Sequence, residues 1–279
     1  MKVLVTGVSG QLGFDVMREL LARGIEAKGA SRSDFSLTDF AAMRRFVEAH
    51  RPTAIIHCAA YTAVDKAEDE PELCREVNAA ATGELAHLAK EIGAKFLYIS
   101  TDYVFSGTGE DFYEPEDKKA PCNVYGESKL LGEEAAQKEI DELFIVRISW
   151  VFGENGKNFI KTMLRLAETH EELSVVGDQI GSPTYTRDLA RLLADMIETE
   201  KYGVYHATNE GTCSWAELAA EALRCAGKKT RVRAIKTEEY PTKAKRPKNS
   251  RLSKKCLDDA GFSRLPDWRD AVARYVELI

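Results

Sequence analysis

The stretch "KVLVTGVSGQLGFDVMRELLARG", Lys2 to Gly24, decides the fold. "KVLVT" reads as a short apolar strand, and "FDVMRELLARG" carries a helical pattern. Between them stand Gly7, Gly10 and Gly13. Glycines in a strand-to-helix loop let the backbone turn tightly, approach a pyrophosphate and pack the helix on the strand. The helix N-terminus then turns its free N–H groups toward the anion. Strand, loop and helix in that order predict a dinucleotide site. A tight turn without a ligand is the other reading of the same glycines.

Working outward, the second strand ends in "GASRSD", Gly29 to Asp34. An acidic residue at that point would accept from the adenosine ribose of NAD. Ser31 and Arg32 stand there instead, and a small neutral residue followed by arginine suits the 2′-phosphate of NADP. NADPH is therefore the expected cofactor. Asp34 lies near enough to keep NADH open.

The same alternation continues to about residue 150. Strands are expected at 2–6, 26–30, 54–59, 95–100 and 143–149, with helices near 11–23, 39–50, 72–92 and 124–138. This βαβ succession predicts an α/β protein built on a Rossmann-type doubly wound parallel sheet. Residues 1–150 form the expected dinucleotide-binding domain, completed by a segment near 184–205. Residues 151–279, more mixed in pattern, are the expected smaller α/β substrate-binding lobe, with Ser214 as the N-cap of a helix over "SWAELAAEALRCAG".

Composition narrows the class. The 279 residues carry a net charge of −6, which argues against a protein that coats nucleic acid. No apolar run approaches the roughly 20 residues of a bilayer span, and "MKVLVTG" lacks the layout of a signal peptide, so a cytoplasmic protein is expected. The six cysteines form no C-x-x-C pair and the five histidines have no ligand spacing, so free thiols and no metal site are expected.

"STDYVFSG" follows the fourth strand, and Tyr125 of "NVYGESK" lies 24 residues beyond Thr101. Tyr125 and Lys129 are neighbours on one helix face, and ligands lie at the carboxyl ends of the strands of an open α/β sheet. A hydroxyl, a phenol and an ammonium thus converge where a nicotinamide would lie. Hydride transfer to a carbonyl leaves an alkoxide that needs a proton, which Tyr125 can give. Lowering a phenol pKa by two units takes about 2.7 kcal/mol, and Lys129 is expected to supply it by its charge. Thr101 would hold the carbonyl in line. A surface Tyr/Lys pair is the bland alternative.

The glycine spacing G-x-x-G-x-x-G suggests the short-chain dehydrogenase/reductase superfamily. Over essentially its full length the chain resembles the dTDP-4-dehydrorhamnose reductases, extended members of that superfamily. The resemblance rests on "TGVSGQLG", "CAAYTAVDKAEDEPELCREVNAAAT", "YISTDYVFSG", "NVYGESKLLGE", "RISWVFG", "NFIKTML", "DQIGSPT", "RPKNSRL" and "LPDWRDAV", in that order. It implies NAD(P)H-dependent reduction of the 4-keto group of a dTDP-sugar, dTDP-4-dehydro-L-rhamnose, for surface polysaccharide. Tyr125 would be the proton donor, assisted by Lys129 and Thr101. Gly10, Gln11 and Leu12 would bind the diphosphate of the cofactor. Ala60, Tyr61 and Thr62 would line it, with Ser36 and Leu37 near the adenine. Thr101, Asp102 and Trp150 would touch the sugar. Ser36 departs from the family, where an aspartate is usual.

The segment Lys228–Lys255 holds twelve basic residues against two acidic ones. A solvated basic face is the ordinary explanation; a diphosphate-linked substrate gives Arg246 a sharper role through bidentate hydrogen bonds. The segment lacks the interleaved aromatics of a single-strand nucleic-acid binder. Related readings are another nucleotide-sugar reductase, epimerase or dehydratase of the same superfamily, or a non-catalytic NADP-binding regulatory subunit like that of methionine adenosyltransferase. Dehydratases of this kind place a glutamate where this chain has Tyr103, so elimination is not expected. The assembly is expected to be a monomer or a homodimer.

Overall fold

Val3, Leu4, Val5 and Thr6 are all buried, because the strand they form lies inside a sheet covered on both faces. The computed structural model describes residues 1–279. In chain order the first half runs β1 (Lys2–Thr6), α1 (Gln11–Ala22), β2 (Glu26–Ala30), α2 (Phe40–His50), β3 (Ala54–His57), α3 (Val64–Ala67), α4 (Pro71–Arg75), α5 (Ala81–Ile92), β4 (Lys95–Thr101), α6 (Val124–Glu139) and β5 (Leu143–Ile148). All six strands of the main sheet are parallel, in the order β2-β1-β3-β4-β5 with a sixth strand at the far edge. The chain adds β2 on one side of β1 and then crosses back to β3 on the other. The carboxyl ends of β1 and β3 therefore diverge into a crevice.

Alternation along the strands sorts the core into two layers. Val3, Val5, Ile56, Leu97 and Val146 face one side, where α1 packs. Leu4, Ile55, Phe96, Tyr98 and Ile145 face the other, under α2, α5 and α6. Two expectations need correction. β3 ends at His57 rather than at 59, and the helix expected over 72–92 is broken by a π turn, Glu76–Ala80. The turn carries Asn78 inward, where its Oδ1 accepts from Tyr61 N at 2.8 Å and its Nδ2 donates to Tyr61 O and to Ser128 Oγ. An i+5 turn of this kind is rare and appears mostly as a single insertion in an α-helix.

The second half runs β6 (Val151–Phe152), α7 (Phe159–Leu166), β7 (Glu172–Val176), β8 (Ile180–Gly181), β9 (Thr184–Tyr185), α8 (Thr186–Ile197), β10 (Gly203–His206), β11 (Asn209–Glu210), β12 (Cys213–Ser214), α9 (Trp215–Cys225), β13 (Arg231–Ile235), β14 (Asn249–Ser250), α10 (Lys255–Asp259), β15 (Leu265–Asp267) and α11 (Trp268–Val276). It leaves the sheet after β5 and returns to it: α8 packs on α1, and β10 is the sixth strand, paired with β5. Ser214 caps α9 in a reciprocal box, its Oγ accepting from Glu217 N while Glu217 accepts from Ser214 N. The rest of this half builds its own small cores around Phe152, Trp268 and Tyr275, and around Leu173, Ala219 and Leu223. β8 pairs with both β12 and β14, which brings "DQIGSPT" beside "RPKNSRL". No helix is long and apolar enough to cross a membrane.

Candidate active site

A cleft of about 1210 Å³ opens at the carboxyl ends of β1, β3 and β4. Its floor is the glycine loop. Gly7 has φ +72, and a Cβ there would meet the Ala59 backbone at 2.8 Å; a Cβ on Gly13 would meet Gly7 O at 2.4 Å. Backbone and helix α1 thus approach each other as only glycine allows. Gly10, Gln11 and Leu12 line the same wall, and Asn155 from the second half donates from Nδ2 to Ser9 O at 2.9 Å, holding the loop's outer side. A loop that only glycine can close this tightly, at the N-terminus of α1 and on the floor of an open cleft, fits a dinucleotide diphosphate.

Arg32, Ser36 and Leu37 line the cleft past the end of β2. Asp34 does not. Its Oδ2 accepts from both the backbone and the hydroxyl of Ser31, at 2.8 and 2.9 Å, and these bonds hold its carboxyl below the ordinary value. Arg32 makes no ion pair with any carboxylate and is exposed. The end of β2 therefore offers a free cation and a tied anion. Ala60, Tyr61 and Thr62 line the opposite wall, Tyr61 fixed through Asn78 and by its hydroxyl on Glu70.

Thr101, Asp102, Tyr125, Lys129 and Trp150 converge at the inner end of this cleft. Asn123 caps α6, its Oδ1 accepting from Gly126 N at 2.8 Å, so Tyr125 and Lys129 lie in the first turns of a firmly started helix. Their electrostatics differ from expectation. The Lys129 ammonium is buried, donates to Ile99 O at 2.7 Å and lies 4.0 Å from the centre of the Tyr98 ring. Burial lowers its pKa to about 7, partly offset by Glu133 one turn further on. The phenol of Tyr125 is not made more acidic. Burial pushes its pKa up and the Asp102 carboxylate pushes it further, while Thr101 pulls the other way. The ammonium donates to a β4 carbonyl, and on the phenol burial and the Asp102 carboxylate outweigh the pull of Thr101.

Thr101 donates its hydroxyl hydrogen to Asp102 Oδ1 at 2.9 Å. Asp102 is buried, its pKa is raised by burial to about 6, and its Oδ2 has no partner. Trp150 takes φ +50, a backbone region that large side chains rarely enter, and stacks on Trp215 with ring centres 3.9 Å apart. Arg246 lies outside the cleft. It lines an adjoining pocket with Lys245, Lys248 and Arg251, and Nη2 donates to Asp65 Oδ2 at 2.6 Å.

Several site groups escaped the sequence reading. Glu133 pairs with Arg147 through two bonds of 2.7 and 2.9 Å and accepts from Ser100 Oγ at 2.5 Å, all three side chains buried. With Lys129 on Ile99 it clamps the strand end that carries Thr101. Its place four residues after Lys129 was a signal available in the sequence. Asn78 and Trp215 gave none, since each depends on partners far along the chain.

The RmlD substrate binding domain model matches residues 1–279. The chain belongs to this family. Among RmlD-domain relatives, the dTDP-4-dehydrorhamnose reductase of Escherichia coli is 40% identical over 289 residues, covering 98% of this chain and 96% of that one. The spore coat polysaccharide biosynthesis protein SpsK of Bacillus subtilis is 40% identical over 276 residues, covering 99% and 97%. The crystal structure of dTDP-4-dehydrorhamnose reductase from Bacillus anthracis in complex with NADP superposes with TM-score 0.97 at 40% identity, covering all of both chains. A UDP-glucose 4-epimerase from Thermus thermophilus, TM-score 0.83 at 21% identity, shares the fold.

Proposed function

We propose that this RmlD-domain protein reduces the 4-keto group of dTDP-4-dehydro-L-rhamnose to give dTDP-L-rhamnose, with NADPH as cofactor. One observation carries the reading: Thr101, Tyr125 and Lys129 meet at the inner end of a cleft whose outer end is a glycine cradle. The full-length likeness to reductases of that name supports the substrate. NADPH, when bound, supplies the hydride. Gly10, Gln11 and Leu12 would hold its diphosphate on the N-terminus of α1, Arg32 its 2′-phosphate, and Lys129 its nicotinamide ribose.

Tyr125 acts as the proton donor. A phenol whose pKa is raised carries its proton in the resting protein, and an alkoxide formed beside it is the stronger base, so transfer runs downhill. Thr101 holds the carbonyl oxygen once its hydrogen leaves Asp102, whose unpartnered oxygen then takes a sugar hydroxyl. Trp150, stacked on Trp215, forms the wall against which the sugar ring lies. Arg246 takes the substrate's diphosphate in the adjoining basic pocket. The fold is shared with epimerases, but the full-length matches near 40% identity that carry an enzyme name are to reductases.

On this reading the protein is cytoplasmic, a compartment that suits its six free cysteines, and a monomer or homodimer. Incubating it with dTDP-4-dehydrorhamnose and NADPH or NADH, following absorbance loss and identifying the sugar formed, tests the reading. Cofactor binding without turnover of this or any related 4-keto nucleotide sugar would defeat it in favour of a regulatory subunit.

A further inference from the structure

Tyr240–Asn249 forms a strap that lines one side of the basic pocket and is fastened at several places. Gly107 O accepts from Lys248 N and Asn249 N, both at 3.0 Å. Asn123, the cap of α6, donates from Nδ2 to Lys245 O at 2.8 Å. The third fastening is Asp65 of α3. Its Oδ1 accepts from Ala244 N at 3.0 Å and its Oδ2 from Arg246 Nη2 at 2.6 Å. One carboxylate therefore grips both the main chain of the strap and the guanidinium it carries.

The two partners are unequally enclosed. The Arg246 side chain is 19% exposed and that of Asp65 47%. An ion pair this open adds little stability, so its worth lies in direction. A guanidinium is a planar fork of five N–H donors. Asp65 uses one edge, and Tyr103, whose ring packs edge-on against Tyr125 at 5.5 Å, faces the group as well. Arg246 lines the basic pocket, and Asp65 is the one carboxylate paired with it. Asp65 also lies three residues beyond Thr62 of the cofactor wall, so the strap is tied to the same loop that lines the cleft.

We propose that Asp65 is a positioning residue for substrate recognition: it holds Arg246 with one edge anchored and the other presented to the diphosphate of the sugar nucleotide. The inference rests on the assignment of Arg246 to that diphosphate. The opposite role is also chemically clear, since a carboxylate on Arg246 could compete with phosphate, and the two differ in sign.

The experiment compares Asp65→Asn, Asp65→Glu, Arg246→Ala and the Asp65→Asn/Arg246→Ala double variant of the full chain. It measures kcat, KM for dTDP-4-dehydrorhamnose, KM for NADPH, and calorimetric binding of dTDP alone. Asp65→Asn is expected to raise the sugar-nucleotide KM and weaken dTDP binding on the order of tenfold, as loss of a hydrogen bond to a charged group does. Turnover and KM for NADPH should stay within about twofold, because only ground-state and transition-state binding are lost together. Asp65→Glu should recover part of the loss, and Asp65→Asn should add nothing in the Arg246→Ala background. If Arg246→Ala weakens dTDP binding while Asp65→Asn leaves it unchanged or tightens it, Asp65 does not position the arginine. If Arg246→Ala itself changes neither KM nor dTDP binding, the diphosphate assignment fails, and the role of Asp65 falls with it. The calorimetric arm keeps the test decisive for a variant too slow to assay.

Discussion

On the α6 side of the cleft the polar groups that hold the strand end are buried and bonded to one another, whereas on the strap side the charges pair directly with at least one partner open to solvent. Lys129 is bonded to Ile99, Glu133 to Ser100 and Arg147, and Asn78 to Tyr61 and Ser128, so the strand end bearing Thr101 cannot shift without breaking buried bonds. The strap holds Arg246 on Asp65, Lys243 on Asp69, and Lys248 on Asp178 and Glu238, with at least one partner of each pair well exposed. The difference teaches where precision is needed. Proton and hydride transfer demand fixed distances, so their groups stand on strand and helix. Recognition of a charged leash tolerates a loop held by a few ion pairs.

The largest effect should come from the rigid side. Tyr125→Phe removes the proton donor and leaves the ring, and turnover should fall by about 10²–10⁴ with little change in NADPH affinity. A near-wild-type rate would show that the phenol is a wall and not an acid, and the contrast between the two sides would lose its chemical basis.

Lys129→Met should also cost most of the turnover, yet it should stabilise the fold. The ammonium is a base whose pKa falls from 10.5 unfolded to about 7 folded. Below about pH 7 both states hold the proton, and the burden of the buried charge is fully present. Between about pH 7 and 10.5 the unfolded chain keeps a proton that the folded one sheds, so stability rises with pH. The gain in melting temperature of the variant over wild type should therefore be largest below pH 7 and shrink toward pH 10. A variant that melts earlier at every pH would mean that the bond to Ile99 outweighs the buried charge.

Arg32→Ala tests the outer end of the cleft, where fewer bonds hold the site. Affinity for NADPH should drop by about tenfold, the scale of one charged hydrogen bond, and affinity for NADH should hardly move. Equal losses for both would turn the 2′-phosphate reading into a general electrostatic one.

How much of this was legible beforehand follows the same division. The βαβ order, the glycine loop and the spacing from Thr101 to Lys129 are local patterns, and local patterns are what periodicity and turn chemistry report. What stayed hidden was set by distant partners. The π turn at Glu76–Ala80 exists because Asn78 reaches Tyr61, and nothing in "CREVNAAAT" signals an extra residue in that turn. The expected fall in the Tyr125 pKa is not seen, because burial and the Asp102 carboxylate raise it while Lys129, its neighbour in the helix, turns to a carbonyl 30 residues earlier in the chain. Spacing on a helix shows which side chains are neighbours; burial decides toward which partner each one turns.

The smallest effect should come from the outermost fastening of the strap. Lys243 and Asp69 form an ion pair in which both side chains are at least half exposed, at 51% and 59%. Such pairs contribute about 0–1 kcal/mol, reduced further by salt. Lys243→Ala should leave the melting temperature, turnover and KM for the sugar nucleotide all within error of wild type at about 0.15 M salt. Asp65 differs from Asp69 in one respect that this result isolates: its partner is a planar fork that lines the pocket, not an ammonium outside it. If Lys243→Ala raised the KM as much as Asp65→Asn does, the strap would work by its summed charge. Arg246 would then count as one cation among several, with no special orientation to preserve.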